Sequence, residues 1–191
     1  MIIGIDNGLN GGIVALSPIK GLAPIAKFMM PTKTVVYPAR KTTPAKSTRE
    51  IDTRALIGLL GSLEIKMEAT TVFFEHCPFH ADNSTTMRSM ALSAGKILAV
   101  LEAKNLKVVR VLSLDWHPVI LGKIPQGKTK EIAAAKAREL WPQEQWLPSP
   151  KAGNLHDGAI DAALIAEYGR RMMHPPMVPQ DSKHEEELPW R

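Results

Sequence analysis

The chain has 191 residues, 45% hydrophobic and 23% charged, a composition that suits one globular core and leaves too little chain for two generous ones. No apolar run approaches the ~18 residues a membrane span needs, and the single cysteine, Cys77, excludes an internal disulfide. The formal net charge of +5 is unevenly spread: no acidic residue lies between Asp6 and Glu50, where Lys20, Lys27, Lys33, Arg40, Lys41, Lys46 and Arg49 accumulate, and a second basic stretch runs from Lys96 to Lys130. Such local excess attracts a polyanion through counterion release as readily as it solvates a surface. The N-terminus enters an apolar stretch with no basic leader, which leads to the expectation of a cytoplasmic protein, and the basic stretches make nucleic acid a natural partner for it.

Residues 2–6, Ile-Ile-Gly-Ile-Asp, form a short apolar run closed by an acid; Asn7-Gly8 and Gly11-Gly12 supply turn chemistry before Ile13 to Leu16, so a hairpin is predicted. A third strand is expected from Ala23 to Met29, with Pro24 weakening its start. Residues 31–50 are rich in Pro, Thr, Lys and Arg and read as a mobile basic loop with a short extended piece at Thr34–Tyr37. Asp52 is a candidate N-cap for a helix whose Leu56, Leu59, Leu60 and Leu63 fall on one face. Thr70 to Glu75 reads as a buried strand ending in a carboxylate, and residues 84–103 as a long helix. Its Ala91, Ala94 and Gly95 suit a dimer seam or a tight contact with a sheet. A last strand at Leu106–Leu112, a short turn or helix at Trp116–Leu121, a helix from Thr129 to Leu140 and a final helix from about His156 to Met172 complete the domain, taken as residues 1–172. Residues 173–191 are acidic and proline-rich and are expected to be a disordered tail. This order of strands and helices predicts a mixed α/β sheet covered on both faces.

Asp6 and Glu75 each close a strand at its carboxyl end, where open α/β sheets place their ligands, and they converge if the two strands are parallel neighbours. Asp157 and Asp161 stand four apart at the start of the last helix and so share a face. Converging carboxylates repel unless a hard cation neutralises them, and an oxygen-only donor set suits Mg²⁺ or Mn²⁺. Two such ions would serve an in-line displacement at phosphorus. His156 adjoins the helix acids and reads equally as a proton relay or as a surface residue at the helix start. Cys77, His76 and His80 lack the second ligand pair that a zinc site requires. Trp116 and Trp141 read as core. No Gly-Lys-Ser/Thr loop supports a phosphotransferase.

Ile-Gly-Ile-Asp-Asn-Gly at 3–8 with Gly11-Gly12, Phe-Phe-Glu at 73–75, and His-Asp-Gly-Ala-Ile-Asp-Ala-Ala-Leu-Ile-Ala-Glu-Tyr-Gly-Arg-Arg at 156–171 resemble the RuvC-like Holliday-junction resolvases, the phage-type members above all, within the ribonuclease H-like superfamily. Trp116, Leu121-Gly122, Lys128, Lys130, Ala137 and Leu-Trp-Pro at 140–142 extend the resemblance over roughly residues 1–171. It implies a ribonuclease H-like fold with a five-stranded mixed sheet and helices on both faces. It further implies a homodimer that cuts four-way DNA junctions symmetrically, leaving 5′-phosphates, with Mg²⁺ held by Asp6, Glu75, Asp157 and Asp161. Asp6-Asn7-Gly8 stands where relatives carry Asp-Pro-Gly or Asp-Pro-Ser, and the helix acids are four apart where many relatives place them three apart. Asp161 is therefore the firmer helix ligand, with Asp157 and His156 as alternatives for the other. Phe79 and Arg88 are candidates to engage a junction centre, Lys123, Lys128 and Lys130 to hold phosphates at a helix start, and Arg40 and Lys41 to clasp a duplex arm. A nuclease of the same fold acting on flaps, forks or RNA–DNA hybrids, and a catalytically silent branched-DNA binder, are the rival readings.

Overall fold

The computed structural model describes residues 1–42, 44–63, 69–76, 84–147 and 156–174. Strands β1 (Ile2–Ile5), β2 (Gly12–Leu16) and β3 (Ala26–Met29) form an antiparallel meander, and β6 (Thr71–Glu75) and β7 (Lys107–Val111) extend it in parallel, giving the order β3-β2-β1-β6-β7. The five-stranded mixed sheet expected from the sequence is thus present. Side chains alternate across it with the two-residue period of a strand. Ile2, Val14, Leu16 and Phe73 face a layer made by α3 (Ser113–Ile120), α4 (Thr129–Leu140) and α5 (Asp157–Met173). Ile3, Ile5, Ile13, Val72 and Phe74 face α1 (Thr53–Ser62) and α2 (Ser84–Ala103).

Several boundaries differ from the sequence reading. β3 starts at Ala26, beyond Pro24, which lacks the N–H a ladder needs. α3 begins at Ser113, three residues earlier than expected, and the Asp115 carboxylate accepts the Leu112 N–H at 2.8 Å across its first turn. Asp52 caps α1 as expected, accepting the Arg54 and Ala55 N–H groups at 3.1 Å. The largest correction concerns residues 31–50: β4 (Thr32–Tyr37) and β5 (Lys46–Ile51) pair antiparallel over six residues as a separate two-stranded sheet. This ribbon is exposed along most of β4 and half of β5, so it carries no apolar alternation by which it could be recognised. On α2, Ala94 packs into the core while Ala91 and Gly95 are exposed, so the small residues do not together form a helix-on-sheet contact. Residues 175–191 of the expected tail, together with Phe79, Cys77 and His80, lie outside the described residues.

α5 runs across the middle of the sheet, touching β1, β2 and β6, and is buried along most of its length. Its approach is close because glycines meet it. A Cβ on Gly4 would lie 2.0 Å from the Ala162 carbonyl oxygen, and one on Gly12 would lie 2.6 Å from that of Gly158. A Cβ on Gly158 would in turn fall 2.2 Å from the Asn10 carbonyl oxygen, where Gly11 and Gly158 form a parallel bridge. The Gly11-Gly12 pair, read from sequence as turn chemistry, thus also seats the helix. Gly158→Ala should lower unfolding free energy by about 3 kcal/mol, the cost of overpacking against rigid backbone, measurable as a fall in the urea midpoint. At the far end of α5, the fully buried Glu167 pairs with Arg170 and Arg171. Arg170 Nη1 also donates to the Ile19 carbonyl at 3.0 Å, and Arg171 Nη1 to that of Val119 at 3.2 Å.

Candidate active site

β1 and β6 are parallel neighbours, with Ile5 beside Phe74, so Asp6 and Glu75 leave the sheet side by side. Asn7 ties the two strand ends together: its Nδ2 donates to the Glu75 carbonyl at 2.9 Å, and the residue is almost fully buried. The Asp6 carboxylate accepts the Gly8 N–H at 3.0 Å. The bridge between Gly11 and Gly158 brings the start of α5 against the β1–β2 turn, and with it Asp157 and, one turn on, Asp161.

A cleft of about 550 Å³ opens here, lined by Asp6, the turn from Gly8 to Gly11, Lys130, Asp157 and Asp161, with Thr86, Ser89 and Met90 of α2 on the facing wall. Burial pushes the Asp161 carboxyl up to about 7, and Asp6, Glu75 and Asp157 add to the shift while Lys130 opposes it. Burial likewise pushes Asp6 up to about 6 against the stabilising Gly8 N–H, with Glu75 raising it further. Asp161 thus feels the charge of all three other expected acids. The shifts come first from burial and then from the neighbouring like charges. Among the described residues no three acidic, histidine or cysteine side chains form a ready-made cation cage. The donor chemistry nonetheless fits a hard divalent cation: carboxylate oxygens only, mutually repelling and partly desolvated.

Glu75 does not line the cleft, but its orientation is fixed from behind. Ser113 Oγ donates to its Oε1 at 2.7 Å and Trp116 Nε1 donates to the same oxygen at 3.1 Å. Trp116 is core, as expected, and also positions a site carboxylate; sequence reasoning missed this second role, and missed Ser113 altogether. His117 lies edge-on to Trp116, ring centroids 4.2 Å apart, and burial pulls its imidazole pKa down against the opposing influence of Glu75. Trp116→Phe keeps the ring and removes the N–H. Any metal-dependent activity should fall about 10–100-fold, as for other groups that orient metal ligands, with the melting temperature changed by no more than a few degrees.

His156 is the N-cap of α5, its Nδ1 accepting the Ala159 N–H at 2.9 Å. A neutral ring held in this way carries its proton on Nε2 and presents no lone pair to a cation, which favours Asp157 over His156 as a ligand. Lys130 pairs with Asp157 at 2.6 Å and Lys128 with Glu131 at 2.6 Å, so both have carboxylate partners as well as exposure to solvent. Lys123, Arg88, Arg40 and Lys41 are exposed, Arg88 on α2 near the cleft wall and the other three on connections.

No protein-family model matches the chain, and no curated protein matches it by sequence. Solved structures do. Thermus thermophilus RuvC superposes with a TM-score of 0.51 at 14% identity, covering 90% of this chain and 96% of that one. T. thermophilus RuvC in complex with Holliday junction substrate gives 0.51 at 12% identity, covering 91% and 96%. The chain therefore has the RuvC-like, ribonuclease H-like fold.

Proposed function

On this RuvC-like fold, we propose that the chain is a Mg²⁺-dependent endonuclease that resolves four-way DNA junctions, of the phage-type branch, acting as a homodimer. The observation that carries the reading is geometric: Asp6 and Glu75 leave parallel neighbouring strands side by side, and the Gly11–Gly158 bridge brings Asp157 and Asp161 of α5 into the same cleft as Asp6. The four carboxylates would hold the cation, two ions per site, with Mn²⁺ able to substitute. Bound metal supplies a water of lowered pKa and stabilises the leaving oxygen. The chain's own residues do the positioning: Ser113 and Trp116 orient Glu75, the Gly8 N–H orients Asp6, and the His156 cap fixes the helix start carrying Asp157 and Asp161. Lys130, bridged to Asp157 at the cleft, is placed to meet a phosphate that competes for it. The exposed Ala91, Leu92 and Gly95 face of α2 is the surface offered for the homodimer.

The test is cleavage of a labelled mobile four-way junction beside linear duplex, flap and RNA–DNA hybrid of matched length, in Mg²⁺, in Mn²⁺ and in EDTA. Paired nicks in the junction, with either metal and not in EDTA, are expected. Cutting of linear duplex at the same rate overturns the junction reading. Preferred cutting of flap or hybrid transfers the activity to a ribonuclease H-like nuclease of other specificity, and binding without cutting under every metal leaves a branched-DNA binder.

A further inference from the structure

The β4–β5 ribbon stands apart from the main sheet and presents cations with almost no counter-charge. Lys33, Arg40, Lys41 and Lys46 are all exposed. The one acid between residues 32 and 51 is Glu50, which pairs with Lys96 of α2 and accepts the Tyr37 hydroxyl at 2.9 Å. Its charge is thus answered chiefly from the body of the protein, with Lys33, its cross-strand neighbour, adding a weaker influence. Arg49 is committed elsewhere: Nη1 donates to Asn10 Oδ1 at 3.0 Å, and Nη2 to the Leu9 carbonyl at 2.8 Å and to Thr32 Oγ1 at 3.3 Å. Leu9 and Asn10 line the cleft that holds Asp6 and Asp161. The ribbon is therefore rooted on the active-site turn through Arg49 and carries its exposed cations along the rest of its length. Met30 and Ile51, at its two ends, are buried in the core beside α1 and α2, which fixes its base.

We infer that the β4–β5 ribbon is a duplex-DNA arm that lies along the backbone of the DNA entering the cleft, with Lys33, Arg40, Lys41 and Lys46 as its phosphate contacts and Arg49 as its joint to the active-site turn. The inference rests on the proposed nuclease function and adds to it a second contact region, built from a segment outside the five-stranded sheet. Six residues per strand give the ribbon a reach of about 20 Å, and a two-stranded ribbon fits the ~12 Å major groove of B-form DNA. Double-stranded RNA has a deep, narrow major groove that does not admit it. Four phosphate contacts would contribute about 3.6 to the slope of log affinity against log salt, at about 0.9 each.

The experiment is fluorescence anisotropy of the full chain in EDTA, where no cutting occurs, on a linear DNA duplex and a four-way junction across a KCl series. The fourfold variant Lys33→Gln, Arg40→Gln, Lys41→Gln, Lys46→Gln is expected to lower the salt slope by about 3–4 on both DNAs, and Lys41→Gln alone by about 0.9. The melting temperature should hold because all four side chains are exposed. A fourfold variant that folds and keeps the parent slope overturns the arm. So does an equal fall from Lys107→Gln with Arg110→Gln on the edge strand β7, which would show general basicity to be at work. Should the fourfold variant fail to fold, an unchanged slope in Lys41→Gln overturns it by itself. A parent chain that binds no DNA at any salt overturns the nuclease reading and the arm with it, so the two failures are told apart by the parent alone.

Discussion

Asp161→Asn is expected to reduce junction cleavage by about 10³-fold or more while junction binding in EDTA is kept or strengthened. The loss follows from removing a charged oxygen from a donor set on which several kcal/mol of transition-state stabilisation rest, each 1.36 kcal/mol being tenfold in rate. The retention of binding follows because the substitution removes a negative charge from the cleft that a phosphate must enter. Asparagine has nearly the same shape, and the metal-free protein should melt no lower than the parent, since the carboxylate it replaces is held against burial and three like charges. Single-turnover cleavage, anisotropy and a thermal melt on the same preparation check all three parts. Asp161→Asn protein that cuts at the parent rate would remove this residue from the catalytic cluster.

The metal-free protein should become less stable as pH rises from about 4 to about 8. A carboxyl whose folded-state pKa lies above its unfolded value holds its proton more tightly in the folded chain. Asp6 and Asp161 both rise from an ordinary 3.8, to about 6 and about 7. Their stabilising contributions are fully present below pH 3.8 and are lost as pH climbs through 6 and then 7. Together these amount to a few kcal/mol, on the order of 5–10 °C in melting temperature for a chain of this size, before other groups are counted. Melts in EDTA at pH 5.5 and pH 8 measure the fall. Asp161→Asn should flatten the portion between pH 6 and 8. Added Mg²⁺ should raise the melting temperature at pH 8 far more than at pH 5.5, because a ligand that binds only the folded state stabilises it in proportion to occupancy, and protonated carboxyls are poor ligands. A melting temperature independent of both pH and Mg²⁺ would contradict the cluster.

The parts of the site that sequence could reveal are those set by local pattern. Asp6 and Glu75 each end an apolar run, and whether they meet depends on a single fact about pairing, that β1 and β6 are parallel neighbours. Asp157 and Asp161 share a helix face by spacing alone. What supports them was not legible, because it is assembled across long stretches of chain: Ser113 and Trp116 reach Glu75 from 38 and 41 residues away, and Asn7 reaches the Glu75 carbonyl across 68. Gly158 shows no special pattern in its own helix; its need for hydrogen in place of a methyl arises from the Asn10 carbonyl lying against it. The sequence of the β4–β5 ribbon resembles a loop because hydrophobic alternation marks a strand only where one face is buried, and this one is exposed over most of its surface.

The glycine-seated helix has one more property. Ala159, Ala162, Ala163 and Ala166 give α5 a face of small side chains, which lets it lie close on the sheet at Gly4 and Gly12. One residue of slippage turns a helix by about 100° and would swing Asp161 away from its neighbours. Glu167, six residues further on and about 9 Å along the axis, works as a keyway against this, since its links through Arg170 and Arg171 engage the β2–β3 connection and α3 at once. The angular setting of the acids is thus held at both ends of α5, by the cap and bridge at its start and by this buried charge cluster further along, so a change at Glu167 would misalign the chemistry without touching it.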